Sequence, residues 1–345
     1  MRALTISAHG GLEQLEVRHD LPEPEPGPGE VRVRVRAAAL NHLDLFVVAG
    51  LPGVTMTPPW IMGADAAGVV DSLGPGVDDV RTGDHVVINP GLSCRQCEYC
   101  LAGEQPLCPR FRLLGEHAPG TIAEFVVVPA ANVRQVPEGL DPIAAAAYPL
   151  STLTAWRMIV SRARVTPGDL VLIWGIGGGV ALQAMQIAKN IGARVWVTSG
   201  DDAKLERARE LGADGTFNHR RDDVAKEVRA RTGKRGVDVV VDNVGAATWK
   251  QSLLALGRAG RLVTCGATSG PVVETDVRRL FWNQWTIMGS TMGSDAEFDA
   301  VIAELRAGRL LPVVDSVYSL EESARAFDRL DAGSQFGKLV IRMGD

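Results

Sequence analysis

Leu170-Val171-Leu172-Ile173-Trp174-Gly175-Ile176-Gly177-Gly178-Gly179-Val180-Ala181 runs from five apolar residues through a glycine turn into a helix-forming pattern. A short apolar run bounded by turn residues reads as a strand buried on both faces. Beyond the turn, Ala181, Ala184, Met185, Ala188 and Ile191 recur at helical spacing. Glycines are needed between the two because the turn is tight and the backbone must approach a pyrophosphate without a Cβ in the way. The helix that follows offers free N–H groups and a positive dipole end to the phosphates. A lone glycine motif is weak, but one placed after a buried strand and before a helix is strong. Val180 or Ala181, depending on register, stands where a third glycine is usual, and Ala is an accepted substitute there. Gly175, Gly177, Gly178, Gly179 and Val180 are therefore candidates for holding a dinucleotide.

The surrounding sequence extends this pattern. Strand-like runs at 194–198, 237–242 and 260–266 alternate with helical stretches such as 203–211. Such alternation predicts an α/β unit, a doubly wound parallel sheet of the Rossmann type with helices on both faces. The strand after the glycine turn should end near the adenosine ribose, where NAD enzymes place a carboxylate. Here it exits at Ser199 and Gly200, with Lys204 close behind, a set that would accommodate a 2′-phosphate. Asp201 and Asp202 complicate the reading, although acids are also favoured where a helix begins. NADPH is the expected cofactor. Asn243, Gly266 and Ala267 follow later strands, at the carboxyl ends where ligands bind.

The first third reads differently. Val31, Val33 and Val35 alternate with Arg32, Arg34 and Arg36, the signature of a half-buried strand with a solvated face. Strands are also expected at 67–71, 85–88 and 123–128, and a proline-rich loop at 21–29. The last fifty or so residues return to a mixed pattern and end in a strand at 337–341. A net charge of −5 over 345 residues gives no reason to expect nucleic acid or an acidic membrane as partner. No apolar run is long enough for a membrane span, and the first residues lack the apolar core of a signal peptide, so a cytoplasmic protein is expected.

Four of the five cysteines, Cys94, Cys97, Cys100 and Cys108, lie within fifteen residues. Thiolates so close can converge on one tetrahedral zinc, and a closed all-thiolate site is structural because no position is left for substrate. Disulfides or inert buried thiols are poor alternatives at this spacing in a cytoplasmic protein. Glu116-His117 reads as a loop, since adjacent residues rarely converge on one ion.

Together these segments resemble the medium-chain dehydrogenase/reductase superfamily over essentially the whole chain. The likeness is carried by the 39–44 segment, Met62-Gly63-Ala64-Asp65-Ala66-Ala67-Gly68, Gly83-Asp84-His85-Val86, the cysteine lobe at 91–110, the glycine turn and Gly337-Lys338. The resemblance implies a β-rich GroES-like catalytic domain built from both chain ends (1–148 and 291–345) around a Rossmann domain (149–290). It also implies a homodimer or homotetramer acting on a small molecule. Zinc-dependent alcohol dehydrogenases of the superfamily carry three metal ligands near the nicotinamide. The aligned positions here hold Asn41, Ala64 and Tyr148, a set that argues against a tight catalytic zinc. Leu43 and Phe46 stand where those enzymes have a hydroxyl relay. The resemblance is instead to the zinc-free quinone oxidoreductases and enone reductases, which the segment 147–156 also suggests. That implies hydride transfer to an activated double bond or quinone, with hydrogen-bond donors at the developing oxyanion.

Asn41 is the candidate donor, or else an asparagine that fixes a turn. Tyr148 either lines the pocket or packs. Asp44 resembles a buried acid that holds the active-site loop. His42 is expected at the cofactor pyrophosphate, and Thr152 and Lys338 are further cofactor candidates. Trp60, Phe281, Trp282 and Trp285 are candidate walls for an apolar substrate, or plain core. Two rival readings stand beside this one. The first is an alcohol dehydrogenase keeping a weak metal through Asp44 and Asp65. The second is a catalytically silent NADPH-binding protein.

Overall fold

The computed structural model describes residues 1–137 and 139–344. The chain forms two compact units, 1–151 with 293–345 and 152–292. Among the described residues no helix is long and apolar enough to cross a membrane.

In the first unit both chain ends share one sheet. The Glu30–Ala39 strand pairs antiparallel with Asp65–Leu73 on one side and with Lys338–Arg342 on the other. Val31, Val33 and Val35 are buried, as the alternation requires. The opposite face is less buried, as expected, with Arg34 exposed and Arg32 and Arg36 half-buried. Arg32 and Arg34 both bind Asp71 across the sheet, at 2.7 and 2.9 Å, and both lie over the Phe125 ring. Arg32 also reaches the Pro24 carbonyl and Glu25, which ties the proline-rich loop to the strand. Leu4, Ile6, Val33, Ile88, Phe327 and Ile341 belong to one core cluster, so residues near both termini are packed together.

Antiparallel pairing sets the position of the site. Ala39, at the end of its strand, stands opposite Asp65 in one neighbour and Val340 in the other. The chain leaves the strand toward Asn41 at the same sheet end where the neighbouring strands begin, at Asp65 and Lys338. Three residues far apart in sequence are thereby gathered at one edge.

The second unit is a sheet of six parallel strands. Their spatial order is Gly215–Asn218, Arg194–Ser199, Leu170–Ile173, Val237–Asp242, Leu256–Thr264 and Thr286–Gly289. Leu170 and Leu172 pack into a cluster with Val228 and Trp249, from helices after later strands. Val171 and Ile173 point to the opposite face and are equally buried. Both faces are therefore covered, as a doubly wound sheet demands. The strand order reverses between Leu170–Ile173 and Val237–Asp242, which opens a crevice at their carboxyl ends.

Candidate active site, cofactor crevice and cysteine lobe

At the sheet edge of the first unit, Lys338 Nζ donates to Asn41 Oδ1 at 2.5 Å and to Asp65 Oδ2 at 2.9 Å. Asn41 Nδ2 donates to the same Asp65 oxygen at 2.9 Å. An ammonium cannot accept and a carboxylate cannot donate, so these partners orient the amide unambiguously. The other Asp65 oxygen accepts the Leu150 N–H at 2.7 Å, and Thr121 Oγ1 donates to the Asp65 carbonyl. All three members of the triad are buried, Lys338 being 5 % and Asp65 0 % exposed. Two of the three ammonium protons are committed, leaving one to offer.

The helix His42–Ala49 starts beside this triad. Asn41 is its N-cap residue, and the Asn41 N–H donates to Asp44 Oδ2 at 2.7 Å. This is half of a capping box, which holds the entry of the helix. Burial raises the Asp44 carboxyl to about 7, against the favourable contacts with Asn41 and the charge of Lys338. His42 lies exposed on the first turn, edge-on to Phe46 at 4.9 Å between centroids.

Several expected site residues have other tasks. Tyr148 is wholly buried, and its hydroxyl donates to the Val301 carbonyl at 3.0 Å. Burial also raises its pKa, so its proton is held rather than offered. Trp60 lies in the core and donates its indole N–H to the Gly115 carbonyl. Trp285 does the same in the second unit, toward the Gly257 carbonyl. Phe281 and Trp282 project from the Val277–Asn283 helix with 64 and 69 % of their surface exposed within the single chain. Within the first unit the structure brings Asn41, Asp44 and Lys338 together, while Phe281, Trp282 and Trp285 belong to the second unit. Lys338, expected at the cofactor, is bonded directly to Asn41, and both also bind Asp65. In the sequence Asp65 stands out only through its place in the Gly-rich box at 62–68 and as a weak-metal candidate with Asp44, and its part in joining Lys338 to Asn41 is not visible there.

In the second unit the glycine turn has the conformation its sequence requires. Gly175 and Gly177 have φ of +73° and +118°, a region closed to most side chains. Gly178 caps the Gly179–Ile191 helix, with Gly179 and Val180 in its first turn. The turn is bound to the next strand, Ile176 N–H donating to the Thr198 carbonyl at 2.7 Å. Asp242, missed in the sequence, is wholly buried. It accepts from the Val244 and Gly245 N–H groups and from the hydroxyls of Thr248 and Ser252. It thus holds the loop carrying Asn243 in place. Gly266 packs against the Asn243 backbone and Ala267 accepts a turn bond from Gly270. Among the described residues, Thr152 Oγ1, Trp174 Nε1 and Asn243 Oδ1 are buried without a hydrogen-bond partner. Two of them directly follow strand ends at the crevice. Orphaned polar atoms beside a left-handed glycine turn fit a bound dinucleotide.

The four cysteine sulfurs lie within 4.8 Å of one another, Cys94 and Cys100 at 3.9 Å. Thiolates bound to a tetrahedral zinc at about 2.3 Å stand about 3.8 Å apart, so the four residues suit that ion. Backbone N–H groups at Gln96 and Cys97, with Cys108 and Arg110, bring the Cys94 thiol down to about 5. Cys100 and Cys108 are buried and all four positions are protein thiols, so the lobe offers no place for substrate.

A split catalytic unit with a cysteine lobe and a nucleotide-type parallel sheet defines a class of oxidoreductase. The chain belongs to the medium-chain dehydrogenase/reductase superfamily. Residues 27–138 match the alcohol dehydrogenase GroES-like domain, and residues 179–307 match the zinc-binding dehydrogenase family. It is 31% identical to an alcohol dehydrogenase of Geobacillus stearothermophilus over 89% of both chains. It is 28% identical to the human quinone oxidoreductase over 99% of this chain and 97% of that one. A solved structure described as an NAD-dependent alcohol dehydrogenase superposes with a TM-score of 0.95 at 48% identity, with full coverage of both.

Proposed function

We propose that this oxidoreductase is an NADPH-dependent reductase of activated double bonds or quinones that works without a catalytic zinc. The observation that carries the reading is the Lys338–Asn41–Asp65 triad. Zinc-dependent members carry metal ligands at the positions of Asn41 and Ala64. Here one is an amide occupied by an ammonium and a carboxylate, and the other has no donor atom.

NADPH, when bound, supplies a hydride. The chain's part is to hold the acceptor and stabilise the charge that develops on it. Lys338 keeps one N–H for a carbonyl or quinone oxygen while Asn41 and Asp65 fix its direction. Negative charge developing on that oxygen would be met by the fixed ammonium of Lys338. Solvent then protonates the product. Asp65 balances the lysine charge in the resting site, and Asp44 holds the helix start against which Asn41 is aligned.

The rival reading, alcohol oxidation at a metal, draws on the names of two of the relatives. Following NADPH absorbance across quinones, enones, alkenals and ketones, with zinc counted in the same preparation, separates the two. We expect turnover on enones or quinones, one zinc per chain, and no inhibition by chelators. A second zinc with chelator-sensitive alcohol oxidation would replace this proposal with the rival.

A further inference from the structure

We infer that Arg220 selects the cofactor by seating its 2′-phosphate. This rests on the NADPH reading above and assigns the choice to a residue outside the glycine turn and outside the helix that carries Lys204. The strand Arg194–Ser199 ends at Gly200, and the Arg220 side chain lies directly on that glycine. A Cβ at Gly200 would stand 2.6 Å from Arg220 Nε and 3.0 Å from its Cδ. Any other residue at 200 would push the arginine away, so the glycine makes room for it.

The charges around this point are divided unevenly. Asp202 is held by both guanidinium nitrogens of Arg221, at 2.7 and 2.9 Å, and by Asn218 Nδ2 at 2.9 Å. Asp201 caps the Asp202–Glu210 helix by accepting the Ala203 N–H. The two acids that could have gripped a ribose 2′-hydroxyl are thus already engaged. Arg220 is the opposite case. Its backbone N–H is bound to Asn218 Oδ1, but among the described residues its guanidinium has no ion pair, and it is exposed. Ser199 adds a hydroxyl at the strand end, where it accepts the Asp201 N–H. An uncommitted guanidinium over a glycine, with the neighbouring carboxylates engaged, favours a phosphate over a hydroxyl.

The test is calorimetric binding of 2′,5′-ADP and of 5′-ADP to the full-length protein, which needs no turnover. Wild type should prefer 2′,5′-ADP by about tenfold to hundredfold. Arg220→Ala should bring the two affinities together, Arg220→Lys should keep part of the preference, and 5′-ADP affinity should hardly change. Because the side chain is exposed and unpaired, the melting temperature of Arg220→Ala should match wild type. A wild-type preference that survives Arg220→Ala and is lost in Lys204→Ala overturns the assignment to Arg220 and leaves the NADPH reading standing. Tighter wild-type binding of 5′-ADP overturns both.

Discussion

Lys338 Nζ lies 2.9 Å from Asp65 Oδ2, and both side chains are withdrawn from water. A buried ion pair of this kind is weak as a source of stability, because desolvating two charges consumes much of the Coulomb gain. Its retention makes sense if the geometry is used, and a fixed ammonium with one free proton is what a developing oxyanion needs.

Removing the cation should therefore harm both fold and chemistry. Lys338→Met strands Asp65 as an unpaired buried charge, at an expected cost of about 3–5 kcal/mol in urea unfolding. Adding Asp65→Asn should recover most of that loss. Turnover should stay about 10²- to 10³-fold below wild type in the double variant, since stability returns without the donor. Recovery of turnover along with stability would show that Lys338 has only a structural role.

Asp44 should make the stability depend on pH in an unusual direction. Its carboxyl titrates from 3.8 in the unfolded chain to about 7 in the fold, because burial penalises the anion. The folded state holds the proton more tightly. The contribution is therefore fully present below pH 3.8 and is lost as pH rises through about 7. Asp44→Asn cannot ionise but can still accept the Asn41 N–H. Denaturant unfolding from about pH 5 to about pH 8 should show the variant gaining on wild type by a few kcal/mol. A difference that stays constant over that range would contradict the assignment.

The cysteine lobe should behave as a local clamp. Cys100→Ser should release the metal and open the 91–110 segment to limited proteolysis. Nucleotide affinity should remain, because the glycine turn is built in a separate unit. Zinc analysis with calorimetry on one sample checks both halves.

Ser199 stands buried at the end of its strand, where the proposed cofactor would place its ribose. Ser199→Asp should weaken NADPH by about tenfold or more through charge repulsion with the 2′-phosphate, and should improve NADH. Equal losses for both cofactors would indicate local damage instead of altered selection.

Features encoded by neighbouring residues are legible in the sequence itself. The strand, glycine turn and helix at 170–191 follow from hydrophobic periodicity and the space needs of a phosphate. The cysteine lobe follows from four thiols within fifteen residues. The arginine face of that strand is the less buried one, as the alternation implies, but its engagement by Asp71 and Phe125, which lie on other strands, is not legible in the sequence. Tyr148 stands as a candidate through its aligned position and Trp60 through chemical type alone. Each is a large ring with a polar tip, and packing turned each tip toward a backbone carbonyl.

Local order in the chain was sufficient to determine the glycine turn, the α/β alternation around it and the thiolate cluster, since each is written in contiguous spacing, while the split first unit was an expectation from the family resemblance. Only tertiary pairing decided that Lys338 meets Asn41 across 297 residues and Asp65 across 273. Antiparallel register set those three at one sheet edge, and burial there made their mutual hydrogen bonds obligatory. Arg220 became distinct from Arg221 for the same reason: among the described residues, the Arg221 guanidinium has a carboxylate partner and that of Arg220 has none.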